Sequence, residues 1–337
     1  KYRFKTIIHL AGLAHISDSI KNPSLYYHNN LLLSIQLLDI AVKYKIKNFI
    51  FSSSCTVYGN YMLKNSPKHI ILETDPIVPI NPYGCSKMMF EYILKDYSNE
   101  YKFNYSILRY FNASGSDPEF EIGEYHKEEK RLIPRLIKYS LGLIDNMHIY
   151  GNNYETHDGT PVRDYTHVCD IASSHIKALE YMIKNNKSII CNIGSGKGYS
   201  INEIILMIEK ISKKKLKIEI INKREGDAAF TVCSNEYAKK MINWEPKFDI
   251  KDIIQTSYSW YSNYLPLIIN KLNTQDYNVI NQLNKHGNLY TGQIKNGKYN
   301  GEGELVYPDG DICKGIFRDN EFIKGKLIMK NGCIEYK

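Results

Sequence analysis

Three features common in secreted and membrane chains are missing from this 337-residue sequence. No apolar run is long enough to span a bilayer: the longest, Leu31 to Val42, is broken by Ser34, Gln36 and Asp39. The opening Lys1-Tyr2-Arg3-Phe4-Lys5 lacks the apolar core and small-residue site of a secretory leader. The seven cysteines (55, 85, 169, 191, 233, 313 and 333) are odd in number and show no Cys-x-x-Cys spacing. That argues against a disulfide framework or zinc site and fits reduced thiols in a cytoplasmic protein, so no metal is expected. The net charge of +8 comes from scattered lysines such as Lys213-Lys214-Lys215, not from a basic block interleaved with aromatics, so no nucleic-acid partner is expected. A strand followed by a glycine-rich turn and a helix, the usual opening of a dinucleotide fold, is also lacking.

What is present is alternation. Strand-like runs at Thr6 to Leu10, Asn48 to Ser52 and Tyr105 to Tyr110 alternate with helical patterns at Leu25 to Lys45 and Tyr83 to Tyr101. This predicts an α/β fold, a doubly wound parallel sheet with helices on both faces. The turn Gly194-Ser195-Gly196-Lys197-Gly198 follows a strand at Ile189 to Ile193 but does not have the spacing of a phosphate-cradling loop. After Ser140 the pattern loosens into shorter strands and helices, giving a first domain over 1–140 and a smaller mixed α/β region over 141–263. Residues 264–286 are polar and asparagine-rich and read as a linker. In 287–337, Tyr290-Thr291-Gly292 recurs as Cys313-Lys314-Gly315, and Tyr307-Pro308-Asp309-Gly310 as Met329-Lys330-Asn331-Gly332, at intervals of 22 or 23 residues. This is the spacing of a β-hairpin repeat with glycines at the turns.

The chemistry centres on Tyr83 and Lys87. If Tyr83 opens a helix, Lys87 lies over the same face, and its ammonium favours the phenolate that can take a proton from a hydroxyl. Ser54, at a strand end, can hydrogen-bond the same hydroxyl. Tyr-x-x-x-Lys alone arises readily on exposed helices, where it is no more than a solvated lysine. Arg163 and Arg224 have the chemistry to grip a diphosphate, although two surface salt bridges would look the same. His167 reads as a cap or core histidine.

Ile7-Ile8-His9-Leu10-Ala11-Gly12, Asn29-Asn30, Ser52 to Gly59, Asn81-Pro82-Tyr83 to Lys87 and Arg109-Tyr110-Phe111-Asn112 occur in one order at one set of spacings. Together they resemble the extended short-chain dehydrogenase/reductase superfamily and, within it, the UDP-galactose 4-epimerases, from about Thr6 to about Tyr261. The 287–337 segment resembles MORN repeats. The first resemblance implies a Rossmann-like sheet whose first part is missing, so that the chain reads as N-terminally incomplete. It also implies 4-epimerisation of UDP-hexoses with NAD by transient oxidation at C4. Tyr83 is then the base, Lys87 holds the nicotinamide ribose and Ser54 orients the hydroxyl. Leu10, Ala11, Gly12, Leu13, Asn29, Ser52, Tyr110 and Phe111 match cofactor-lining positions. Asn112, Arg131, Tyr150, Arg163, Tyr165, Ile201, Arg224 and Asp227 match positions around UDP.

The resemblance also implies that Thr231 borders the pocket for the sugar 2-substituent, where in this family a small residue admits an N-acetyl group, so both the plain and N-acetyl pairs are expected as substrates. Ala14, where many members have lysine, and Lys130-Arg131, in place of an asparagine pair, depart from the pattern. The related dehydratases and decarboxylases carry carboxylates at Cys55-Thr56, and neither residue here can exchange a proton as they do. An inactive scaffold for the repeats is the alternative of another class. The helices over Leu31 to Val42 and Met88 to Tyr97 could join a homodimer or simply be core, and the repeats suit a protein partner.

Overall fold

The computed structural model describes residues 3–59, 61, 69–126, 129–223, 227–266, 277–283, 287–329 and 334–336. Two compact units emerge, Lys1–Trp260 and Tyr261–Lys337.

The first unit runs β1 (Thr6–His9), α1 (Ile16–Lys21), α2 (Pro23–Tyr27), a π-helical turn (His28–Leu32), α3 (Leu33–Lys43), β2 (Asn48–Ser54), β3 (Ile70–Ile71) and α4 (Pro82–Tyr101). It continues with β4 (Asn104–Tyr110), β5 (Asn112–Ser114), α5 (Leu132–Ser140), β6 (His148–Tyr150), β7 (Val162–His167), α6 (Val168–Asn185) and β8 (Ile189–Ile193). It closes with β9 (Gly198–Ser200), α7 (Ile201–Ser212), β10 (Glu219–Ile221), β11 (Phe230–Cys233), α8 (Glu236–Ile242) and α9 (Ile250–Ser259). β1, β2, β4 and β8 pair in that order, all parallel. Side chains alternate across this sheet. Phe49 and Phe51 pack with Leu38, Phe90 and Leu94 on one face, and Ile50 packs with Leu108, Met182 and Trp244 on the other. Both faces are buried along β2, β4 and β8, as the alternation of strands and helices predicts, while Ile8 of β1 stays exposed.

Three sequence expectations change here. The helix read over Leu25 to Lys45 is interrupted by the π turn and stops at Lys43. The 140/141 boundary does not separate two units: β8, from the later region, is the fourth strand of the first sheet, brought there by the α6 crossover that parallel pairing requires. The remaining strands form β3-β11-β7-β5, with β9 antiparallel to β7, and a β6–β10 pair. His167 is a cap, as read: its Nδ1 accepts from the Cys169 amide at 3.1 Å and its ring stacks on Phe248.

The third change lies in the second unit, a six-stranded antiparallel meander. Its strands are β12 (Tyr277–Leu283), β13 (Leu289–Lys295), β14 (Lys298–Val306), β15 (Ile312–Arg318), β16 (Glu321–Ile328) and β17 (Ile334–Tyr336). β12 falls inside the 264–286 segment read as linker, because Tyr277–Leu283 shows no strict alternation and is held by backbone pairing to β13. Gly292, Gly303, Gly315 and Gly325 stand opposite one another across four strands. A Cβ on Gly303 would lie 2.4 Å from the Tyr290 hydroxyl, so the glycine makes room for that ring. Tyr290 stacks on Tyr299 with centroids 3.8 Å apart and meets the edge of Phe317, burying an aromatic core within the unit.

Candidate active site

The site lies at the carboxyl ends of β2 and β4, where parallel α/β sheets bind ligands. α4 begins there for local reasons: Asn81 accepts from the Gly84 amide at 2.8 Å as N-cap, and Pro82 fits the first turn. That start places Tyr83 and Lys87, both buried, beside Ser52-Ser53-Ser54. Ser54, at the end of β2, lies beside the Tyr83 hydroxyl and favours its phenolate, but burial is the larger effect and pushes the phenol up to about 12. Lys87 Nζ donates to the Ser52 carbonyl at 2.8 Å and lies 4.9 Å from the Phe51 ring centroid and 5.9 Å from that of Tyr83. Burial pulls Lys87 down to about 8, with Glu91 opposing. The two side chains share one face of α4, as their four-residue spacing predicts. The expected depression of the Tyr83 phenol is not what this geometry gives, because the ammonium turns to the Ser52 carbonyl and desolvation dominates.

A cleft of about 380 Å³ opens beside Lys87, lined by His9, Ala11, Gly12, Leu13, Asn29, Leu33 and Leu37. A Cβ on Gly12 would sit 3.2 Å from Asn30 Oδ1 and 3.5 Å from Lys87 Nζ, so glycine keeps the floor open above the ammonium. Leu10, largely exposed, precedes this floor. An open apolar floor ending at a buried cation fits a flat ring joined to a ribose. Tyr110 ends β4, where burial pushes its phenol up and Ser52 opposes that shift. Its hydroxyl meets His175 Nε2 at 2.6 Å, and His175 Nδ1 meets the Ile171 carbonyl at 2.8 Å. A carbonyl only accepts, so Nδ1 carries the proton and Tyr110 donates to Nε2. Phe111 instead packs in the core with Val57, Tyr58, Ile71 and Cys233.

On the other side, Thr231 of β11 stands opposite Arg163 of β7. Arg163 Nη2 donates to Asp227 Oδ1 at 2.5 Å and Nη1 to the Val162 carbonyl at 2.9 Å, so two of the expected substrate residues meet. Asn112 stands opposite Tyr165 on β5 and donates to the Asp164 carbonyl at 2.8 Å, and burial pushes the Tyr165 phenol up to about 12. Cys55, which follows β2, lies within electrostatic range of both Tyr83 and Arg163. Three further expected residues have partners of their own. Arg131 caps α5 and is ion-paired to Glu124 and Glu129, Tyr150 hydrogen-bonds His148 at 3.1 Å on the β6–β10 pair, and Ile201 begins α7. Arg224 lies outside the described residues.

Sequence reading missed three supports: His175, Asn30 and Asp164. Asp164 accepts from Ser195 N at 2.7 Å, Ser195 Oγ at 2.6 Å and Gly196 N at 3.0 Å, which explains the glycine turn as a carboxylate nest, and burial pushes its carboxyl up to about 6. The polar residue next to Arg163 was the signal for it.

A parallel sheet with Tyr83, Lys87 and Ser54 gathered at its carboxyl edge and a cleft of about 380 Å³ beside them is the arrangement in which open α/β folds seat their ligands. The chain belongs to the NAD dependent epimerase/dehydratase family, whose model matches residues 1–194. It is 38% identical to the UDP-glucose 4-epimerase of Rhizobium leguminosarum bv. trifolii over 78% of this chain and 79% of that protein. The UDP-glucose-4-epimerase of Stenotrophomonas maltophila, solved with NAD and formylated UDP-arabinopyranose, superposes with a TM-score of 0.74 at 31% identity, covering 78% and 77% of the two chains. The UDP-Glc/GlcNAc 4-epimerase of Campylobacter jejuni gives 0.64 at 34%, covering 77% of each chain. These relatives mark the chain as an epimerase, an enzyme of the isomerase class. A MORN repeat model matches residues 290–312.

Proposed function

We propose that the protein interconverts UDP-hexoses at C4 with NAD as cofactor, and that it accepts the N-acetylated pair as well. The observation that supports this reading is the start of α4, which buries the Tyr83 phenol beside Ser54 with the Lys87 ammonium 5.9 Å from its ring centroid. NAD, when bound, supplies a hydride acceptor, a hydride donor for the return step and a positive charge near the phenol. Leu10 to Leu13, Asn29, Ser52, Tyr110 and Lys87 would hold it. Tyr83 takes the proton of the 4-hydroxyl as C4 is oxidised and gives it back to the opposite epimer, while Ser54 orients that oxygen. A buried phenol starts high, so the neighbouring positive charges are what bring it within reach of neutral pH.

Arg163 grips the diphosphate after exchanging Asp227 for phosphate oxygens, and Asp227 turns to the ribose. Thr231, small and opposite Arg163, leaves room for an acetamido group. The Cys55 thiol, pushed up to about 12 by burial, stays protonated and cannot serve as the acid–base group a dehydratase needs. Leu33 and Ile40 on α3 and Tyr92 on α4 are exposed and suit pairing of two copies, and the repeats suit a protein partner. Tyr83→Phe is the test: turnover of UDP-galactose should fall by about 10³-fold or more with the melting temperature retained. Near-parental turnover would remove Tyr83 as the base.

A further inference from the structure

We infer that His175 is a positioning residue that holds the Tyr110 hydroxyl as an acceptor toward the cofactor, so that the site tells a nicotinamide carboxamide from the corresponding carboxylate; this role rests on the NAD-dependent reading above. α6 carries the chain from β7 to β8, and one of its faces lies on the sheet. Ile171, Ala178 and Met182 of that face are buried with Ile50 and Leu108, and Tyr110 packs against the cluster. His175 falls on the same face, one turn after Ile171 and one turn before Ala178. It is 6% exposed, and its ring centroid lies 5.7 Å from that of Tyr110.

Both ring nitrogens are committed. Nδ1 meets the Ile171 carbonyl of the preceding turn at 2.8 Å, and because a carbonyl can only accept, that nitrogen holds the proton. Nε2 is then a lone pair, 2.6 Å from the Tyr110 hydroxyl. Burial lowers the imidazolium below its usual range, so the ring is neutral at pH 7 and the lone pair stays available. A phenol has one proton to give, and its oxygen can also accept. With the proton spent on His175, the Tyr110 oxygen meets any other group as an acceptor.

That oxygen belongs to the reactive edge of the sheet. Tyr110 ends β4 opposite Ser54 of β2, and Tyr83 lies within electrostatic range of its phenol. Lys87, on the carbonyl of Ser52, supplies this edge with a donor, and Tyr110 supplies an acceptor. A carboxamide brings an N–H to such an acceptor, whereas a carboxylate brings only further acceptors. To admit the carboxylate, Tyr110 must either face it oxygen to oxygen or turn its proton away from His175. The second course leaves a buried lone pair without a donor, so both courses disfavour the acid.

The test titrates the full chain, by calorimetry, with NAD+ and with nicotinic acid adenine dinucleotide, which has a carboxylate in place of the carboxamide. The parent should favour NAD+ by about tenfold or more. His175→Phe keeps a ring and removes the lone pair, which frees Tyr110 to donate. The preference should then fall to within about twofold, chiefly because the acid binds more tightly. Tyr110→Phe removes the acceptor itself and should bring the preference to the same level by weakening NAD+.

A His175 that only fills space predicts equal losses for the two ligands. An unchanged preference in His175→Phe, or a parent with no preference, would overturn the assignment. If His175→Phe does not fold, Tyr110→Phe decides, and a retained preference there refutes the role. Nitrogen NMR of the ligand-free parent should find the His175 proton on Nδ1; a proton on Nε2 also refutes it. A parent that binds neither dinucleotide would sink the NAD reading alone, because the tautomer, read without ligand, still decides whether Tyr110 is held as an acceptor.

Discussion

Lys87→Met should make the protein more stable and inactive. Burial lowers the ammonium from 10.5 to about 8, so the folded chain holds this proton less tightly than the unfolded chain. At neutral pH that difference opposes folding by about 3 kcal/mol. The bond from Nζ to the Ser52 carbonyl returns about 1 kcal/mol. Methionine fills a similar volume without charge, so the variant should gain about 2 kcal/mol at pH 7, or several degrees of melting temperature. The sign fixes the pH window. The gain is full below about 8, shrinks as pH rises toward 10.5, and vanishes above, where lysine is neutral in both states. Thermal melts of parent and variant from pH 7 to pH 10.5 measure it directly. A lower melting temperature for the variant at pH 7, or a gain independent of pH, would refute the reasoning.

Three further outcomes are expected. Glu91 and Arg109 form a buried ion pair at 2.7 Å, with Ser53 donating to the same carboxylate at 2.6 Å, so Glu91→Gln should cost about 3–5 kcal/mol in urea unfolding; a loss under 1 kcal/mol would show the pair to be dispensable. Gly303→Ala drives a Cβ against Tyr290, and near-UV circular dichroism should report loss of the aromatic core of the repeat unit while epimerase activity persists. Thr231→Tyr should lower kcat/KM for UDP-N-acetylglucosamine by about tenfold or more relative to UDP-glucose; equal losses for the two would remove Thr231 as the gate.

Much of the site was legible because its residues are local in sequence. Tyr83, Lys87 and the Asn81-Pro82 start are one helical turn, and Ser52 to Ser54 are one strand end. The supports were not legible because they depend on partners far along the chain. Asn30 reaches Ser86, Tyr110 reaches His175, and Asp164 reaches Ser195. Desolvation was not legible either: spacing reports that Tyr83 and Lys87 share a face, whereas burial sets how high the phenol starts. In the fold, β12 escaped because strand pairing can hold a polar segment that shows no alternation. The domain border at 140 failed because a loosening of pattern does not reveal that a later strand returns to an earlier sheet.

That returning strand carries a consequence for how the chain acquires its structure during synthesis. β8 supplies the partner for the far edge of β4, with Ile107 opposite Ile190 and Arg109 opposite Asn192. Until Ile189–Ile193 leaves the ribosome, the exposed edge of β4 has no neighbour, and the Tyr58 hydroxyl lacks the Asn192 acceptor it reaches at 2.7 Å. Translation at about 5–20 residues per second puts at least several seconds between the appearance of β4 and its closure. An unpaired strand edge of this kind is where chains associate with one another. The interval after β4 is therefore the period in which the nascent protein most needs shielding, and slow codons between α6 and β8 should increase aggregation more than slow codons after β11.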